Sequence, residues 1–239
     1  MFAASTYNPW LEALRRGWRA GVSNRAPAFI LWCVGMALLG GYYSWPPLRE
    51  SLNEIARLKQ SGGLLAAACM TGFAGGVLPT LFQLFAGPAV RAKAVRDAPF
   101  QTAFWFCKGI EIELFYRGQA LVFGESPTLP IVAAKVFVDQ FVYCTLWAVP
   151  TMVFLYQWKE NSYSFTKTWA GIDKRWMRED ALPVLVTNWV IWTPTVFIIY
   201  SMPLGLQLPI QNLVLSLFVL LLVVLTKRGE DAAWKPGNP

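Results

Sequence analysis

The sequence predicts an all-α polytopic membrane helix bundle, with about six transmembrane helices plus interfacial amphipathic helices. Three observations carry this prediction. Of the 239 residues, 55% are hydrophobic and only 15% are charged, against about 25% charged in an ordinary soluble domain. The apolar residues gather in runs of about 20 or more, the length a helix needs to cross the hydrocarbon core. Extended alternation of apolar and polar residues, the mark of a membrane β-barrel, is missing.

Residues 1–25 read as a basic amphipathic segment. Asn8 suits a helix cap and Pro9 the first helical position. Trp10, Leu11, Leu14 and Trp18 recur at helical spacing, with Arg15, Arg16 and Arg19 elsewhere on the turn. That pattern predicts a helix on the membrane surface, the alternative being a disordered basic tail. A secretory signal does not fit, because the first apolar run is long enough to span and no small-residue cleavage site follows. The arginines suit either positive-inside anchoring or an organellar transit segment.

Six apolar segments follow, at 26–45, 62–88, 99–123, 128–157, 181–203 and 206–226. The expected organisation is an additional N-terminal transmembrane helix and loop over 26–60, a helix bundle over 61–228 and a polar tail over 229–239. Gly72 and Gly76 form a G-x-x-x-G pair that permits close helix contact. Pro79 and Pro194 each remove a helical hydrogen bond and predict a bend. Over 158–180, Phe165, Trp169, Ile172 and Trp176 repeat at helical intervals among Lys167, Asp173, Lys174, Arg175 and Arg178. This stretch reads as an interfacial amphipathic helix, or else as a polar loop with aromatic anchors. With the N-terminus inside, fifteen of the 21 Lys and Arg fall on the inner side and only Arg49, Arg57 and Lys59 on the outer. The positive-inside rule then places both termini inside.

Composition excludes several chemistries. The chain has no histidine, so Ser-His-Asp and Cys-His catalysis and His-ligated metals or haem are ruled out. Cys33, Cys69, Cys107 and Cys144 each fall in a different apolar run and form no C-x-x-C pair, so they read as small buried hydrophobes. No enzyme activity, metal or cofactor is expected. The net charge of +7 lies between apolar runs and not in a stripe, so nucleic acid is not an expected partner. The expected partners are the lipid bilayer, small solutes or ions and, in a homo-oligomer, further copies of the chain.

The most informative residues are the charges inside the apolar runs. Lys108, Glu111, Glu113 and Arg117 lie within 99–123, and Lys135 and Asp139 within 128–157. Ionisable groups at membrane depth are costly and are functional candidates by default. An antiparallel hairpin of these two segments pairs Glu113 with Lys135 and Arg117 with Asp139, one helical turn (about 5.4 Å) out of level. Glu113–Arg117 and Lys135–Asp139 are also i,i+4 pairs, and Lys108–Glu111 is an i,i+3 pair on another face. Such a near-neutral cluster either locks helices together or lines a conduction path. Glu111 and Glu113 point different ways along a helix, which suits paired acid–base catalysis poorly.

The stretch Gly109 to Tyr116 (GIEIELFY), then Lys135 to Gln140 (KVFVDQ) with Pro150, then Asn188, Trp189, Trp192 and Pro194 with Met202-Pro203, occur in that order. This series resembles the Mpv-seventeen/peroxisomal membrane protein twenty-two family over roughly residues 62–226. Ile110, Glu113, Gln207, Phe218 and Leu221 depart from the family pattern, so the resemblance is to a divergent member. It implies a weakly selective channel or small-solute handling in a mitochondrial or peroxisomal membrane; the residues alone equally suit a bacterial inner membrane. Tyr116, Lys135, Asp139 and Gln140 carry over as the family's polar positions. Gly109, Asn188, Trp189, Trp192, Pro194 and Pro203 carry over as its signature.

Three functions follow as expectations. The first is a pore or solute-permeation protein whose gating candidates are Lys108, Glu111, Glu113, Tyr116, Arg117, Lys135, Asp139 and Gln140. The second is a non-catalytic membrane scaffold or assembly partner. The third, a lipid-modifying enzyme, has only the buried carboxylates in its favour.

Overall fold

The structure is a computed structural model that describes residues 8–233, with side chains as far as 221. Its helices are α1 (Pro9–Ser23), α2 (Arg25–Ser44), α3 (Pro46–Gly72), α4 (Leu78–Gln83), α5 (Pro88–Phe123), α6 (Leu129–Phe137), α7 (Val149–Glu160), α8 (Phe165–Ala170), α9 (Leu182–Tyr200) and α10 (Leu204–Ala233). Wider π-helical turns, Phe73–Val77, Val138–Ala148 and Met177–Ala181, lead into α4, α7 and α9. No strand occurs among the described residues, and the all-α class stands.

The π turns have a common cause. Each is capped by the residue directly before a proline: Leu78 before Pro79, Val149 before Pro150, Leu182 before Pro183. The N–H groups of Leu78, Val149 and Leu182 reach back five residues, to the carbonyls of Phe73, Cys144 and Met177. Proline has no N–H, and its ring crowds the carbonyl four residues back. A wider turn relieves that crowding while keeping the preceding N–H bonded.

Five stretches are long and apolar enough to cross a membrane: Arg25–Ser44, Pro46–Gln83, Leu129–Glu160, Met177–Tyr200 and Leu204–Leu221. The expected sixth, over 99–123, is not among them. It is helical, but Lys108, Glu111, Glu113 and Arg117 interrupt it. Large apolar side chains face outward along the helices, including Phe29, Leu65, Leu121 and Leu146. In water these would form exposed patches far larger than soluble monomers carry.

Several expected boundaries move. The loop anticipated before residue 61 is the first part of α3, which breaks at Gly63 (φ 57°, ψ −138°), a backbone conformation that favours glycine. Arg49 donates to the carbonyls of Tyr42 (2.8 Å) and Tyr43 (2.6 Å), satisfying the end of α2. The basic stretch Arg91–Arg96, expected as a loop, forms the opening turns of α5. The single amphipathic helix expected over 158–180 is replaced by the six-residue α8, a short loop and the π turn before α9. Ser162 (φ 55°) and Tyr163 (φ 60°) make the left-handed turn that ends α7. The polar tail expected over 229–239 is helical as far as Ala233; its residues 234–239 lie outside the described residues, as do residues 1–7 of the basic N-terminal segment.

The chain divides into two compact units, one formed by residues 1–26 and 133–196, the other by residues 27–132 and 197–239. In the first, Cys144, Val149 and Leu185 form a buried core, with Trp189 and Leu182 packed on it. In the second, α3, α5 and α10 pack together, with Ile199, Tyr200, Met202, Leu206 and Leu208 fully enclosed. Gly109 lets α3 and α5 approach closely, since a Cβ there would lie 2.5 Å from the Ala67 carbonyl oxygen. The expected close packing at Gly76 is also present, against the Thr102 backbone of α5.

Candidate functional site

Each unit carries a buried polar cluster. In the unit of α3, α5 and α10, the cluster lines one face of α5. Glu113 is 1% exposed, and Lys59 of α3 is 3% exposed. The Lys59 ammonium lies 2.6 Å from each carboxylate oxygen of Glu113. Arg117, one turn on, donates from Nε to the same carboxylate at 2.8 Å, with its side chain 44% exposed. Glu113 therefore joins one enclosed cation to one cation at the surface.

Polar contacts continue from Glu113 along the helix. Tyr116 Oη donates to Gln211 Oε1 of α10, and the Tyr116 ring meets Tyr200 edge-on at 5.3 Å. Gln119 Nε2 donates to Tyr200 Oη at 2.5 Å. On the other side, Asn212 Nδ2 donates to Thr71 Oγ1 at 3.0 Å, and Thr71 packs on Gly109. From Gly109 to Gln119 this face rises about 15 Å. Gln119, Asn212 and Gln207 (which donates to the Met202 carbonyl) each use the amide N–H. The carbonyl oxygens of all three are buried without a hydrogen-bond partner. An enclosed acceptor left in that state costs about 1–3 kcal/mol, so these oxygens are poised to accept from a bound donor.

Lys108 and Glu111 pair at 2.7 Å as their spacing predicts, with the Lys108 ammonium 5.9 Å from the Phe104 ring centre.

The second cluster sits in the other unit, in the π turn Val138–Ala148. Asp139 and Gln140 are buried there, as is Lys135 on α6. Gln140 Nε2 donates to Asp139 Oδ1 at 2.8 Å. Asn188 Nδ2 of α9 donates to Gln140 Oε1 at 3.2 Å, and Trp189 Nε1 donates to the Gln140 carbonyl at 2.8 Å. The Thr145 hydroxyl donates to the same carbonyl at 3.3 Å. The structure thus brings Asp139, Gln140, Asn188 and Trp189 together. Trp192 is half-buried and Pro194 exposed on α9, while Pro203 starts α10 by accepting from the Leu206 N–H at 2.8 Å.

The expected partner of Glu113 needs correction. Its carboxylate is held by Lys59, which the sequence reading did not offer as a partner, and by Arg117, as the i,i+4 spacing predicts; Lys135 and Asp139 belong to the other unit. The positive-inside balance puts Lys59 with Arg49 and Arg57 on the outer side, in the loop expected before residue 61. The missed signal was the helical spacing of Leu52, Ala56 and Lys59, which places the lysine on the buried face with Leu52. Gln119, Gln211 and Asn212 were also missed, since single amides in apolar runs stand out less than charges.

No group of three or more His, Cys, Asp or Glu suited to a metal ion occurs among the described residues. No family model matches this chain, and no curated protein or solved structure matches it.

Proposed function

We propose that this protein is an integral membrane helix bundle that passes small polar solutes or ions with weak selectivity. Five span-length apolar stretches support the membrane part of this reading. We take α5 as a sixth span, with Glu113 enclosed against Lys59 of α3. The positive-inside balance then puts both termini on one side. The family resemblance lends the same class of function and a mitochondrial or peroxisomal membrane.

One observation carries the permeation reading: the unpaired carbonyl oxygens of Gln119, Gln207 and Asn212 in the apolar interior. Acceptors kept open at a standing cost suit passing donors such as water, hydroxylated solutes or hydrated cations. The Glu113 carboxylate, flanked by Lys59 and Arg117, leaves the site one net positive charge rather than a ring of one sign. Weak ion selectivity follows, because selective pores use rings of like charge or ordered carbonyls.

The test is flux of water, small polyols and monovalent ions through liposomes holding the purified chain, beside Gln119→Leu and Asn212→Leu. The reading expects flux above protein-free liposomes and a several-fold loss in both variants while they remain folded. Absence of flux, or equal flux in folded variants, overturns it. The scaffold reading rests on the other property of the same site, the close neutralisation of Glu113. It predicts a stable partner in native-complex isolation and no flux from the chain alone.

A further inference from the structure

We propose that the α7–α9 connection is an anionic-phospholipid platform, gripping lipid phosphates through Lys167, Lys174 and Arg175 while Phe165 and Trp169 enter the acyl boundary. This goes beyond the permeation reading and requires only that the chain resides in a bilayer.

The connection is built, not slack. Asn161 Nδ2 donates to Thr168 Oγ1 at 3.2 Å, and Thr168 Oγ1 donates to the Ser164 carbonyl at 2.9 Å. Ser164 caps α8 by accepting from the Lys167 N–H. Asp173 Oδ1 accepts from the N–H groups of Arg175 and Trp176 at 2.7 and 3.1 Å. Trp176 is buried and donates to Gln157 Oε1 at 2.6 Å. Two consecutive residues, Ser162 and Tyr163, hold left-handed backbone conformations, which a tyrosine adopts only when its surroundings compel it.

This framework presents an apolar edge that a soluble protein would bury. Phe165 is 60% and Trp169 is 62% exposed, yet their rings stack on each other at 5.8 Å, and Phe165 is braced edge-on by Phe154 at 5.9 Å. Lys167 on α8 and Lys174 and Arg175 in the loop that follows are exposed and make no ion pair among the described residues. The one carboxylate between them, Asp173, is tied to the main chain and offsets a single charge, leaving this stretch net positive. The connection joins two span-length stretches, Leu129–Glu160 and Met177–Tyr200, so its depth is that of the headgroups. A net positive charge, an ordered aromatic edge and headgroup depth together select an anionic phospholipid over an acidic protein.

The test uses the full chain, delipidated in neutral detergent and titrated with phosphatidylglycerol or phosphatidylcholine under native mass spectrometry. The expected result is preferential binding of phosphatidylglycerol, weakened at high salt and not displaced by inorganic phosphate. Lys167→Gln/Lys174→Gln/Arg175→Gln loses the preference by roughly fivefold per cation, about a hundredfold in all. Lys174→Gln/Arg175→Gln, which leaves α8 intact, loses an intermediate share, and Lys167→Arg/Lys174→Arg keeps it. Equal binding of the two lipids overturns the proposal. So does a preference that survives the triple substitution, or full displacement by inorganic phosphate or by an acidic peptide.

Discussion

Lys59 and Glu113 are 54 positions apart in the chain and 2.6 Å apart in the fold, both almost wholly enclosed. Burying such a pair gains little over apolar residues of the same size, but breaking it strands a charge. Glu113→Leu alone therefore costs about 3–5 kcal/mol, and Lys59→Met alone a similar amount. The double variant recovers most of the loss. Thermal unfolding of the four proteins in one detergent measures this; double-variant losses equal to the sum of the singles would show that the two side chains do not interact.

Arg117 holds the same carboxylate from a partly exposed position near the end of the α5 span, where its long side chain reaches water. Arg117→Gln costs about 0–1 kcal/mol in the same assay. A loss as large as that of Lys59→Met would place Arg117 in a dry environment instead.

Gly109 has no room for a side chain against Ala67 and Thr71. Gly109→Val pushes α3 and α5 apart and costs about 1–3 kcal/mol. A variant that unfolds at the parental temperature would contradict that close approach.

Trp189 links α9 to the Gln140 carbonyl. Trp189→Phe removes that hydrogen bond, costing about 0.5–1.5 kcal/mol. Hydrogen exchange should quicken in the π turn around residue 140 and leave α5 unchanged. Uniform quickening would instead report general loosening.

Cys33, Cys69 and Cys107 are exposed and Cys144 is buried. If the exposed faces meet lipid, a water-borne maleimide leaves all four unmodified in intact liposomes and labels all four in denaturing detergent. Rapid labelling of Cys33 and Cys69 in liposomes would place their faces in water and remove the membrane reading.

What the sequence made legible follows from where it concentrates polarity. Lys108, Glu111, Glu113, Arg117, Lys135, Asp139 and Gln140 were conspicuous against apolar neighbours, and Lys108, Glu113, Lys135, Asp139 and Gln140 are buried. The Lys108–Glu111 and Glu113–Arg117 pairs followed from helical spacing. The Lys59 contact was not legible, because composition alone cannot tell a polar loop from a polar helix turned inward at one residue. The breadth of α5 was hidden for the same reason: Arg91, Lys93 and Arg96 resemble a loop until the helix is seen to continue through Pro99. The break in the 158–180 helix arises from a left-handed turn at Ser162 and Tyr163, and neither residue type announces one.

The wide turn Val138–Ala148 has a practical consequence for anyone mapping contacts along this rod. A helical wheel drawn at a constant 100° per residue falls out of phase within that segment. Positions before Val138 and after Ala148 that share a stripe on paper point in different directions in space. Cross-linking cysteines chosen from such a wheel would miss across residues 129–160, and substituting Pro150, which removes the reason for the wide turn, would swing one end of the rod about its own axis relative to the other.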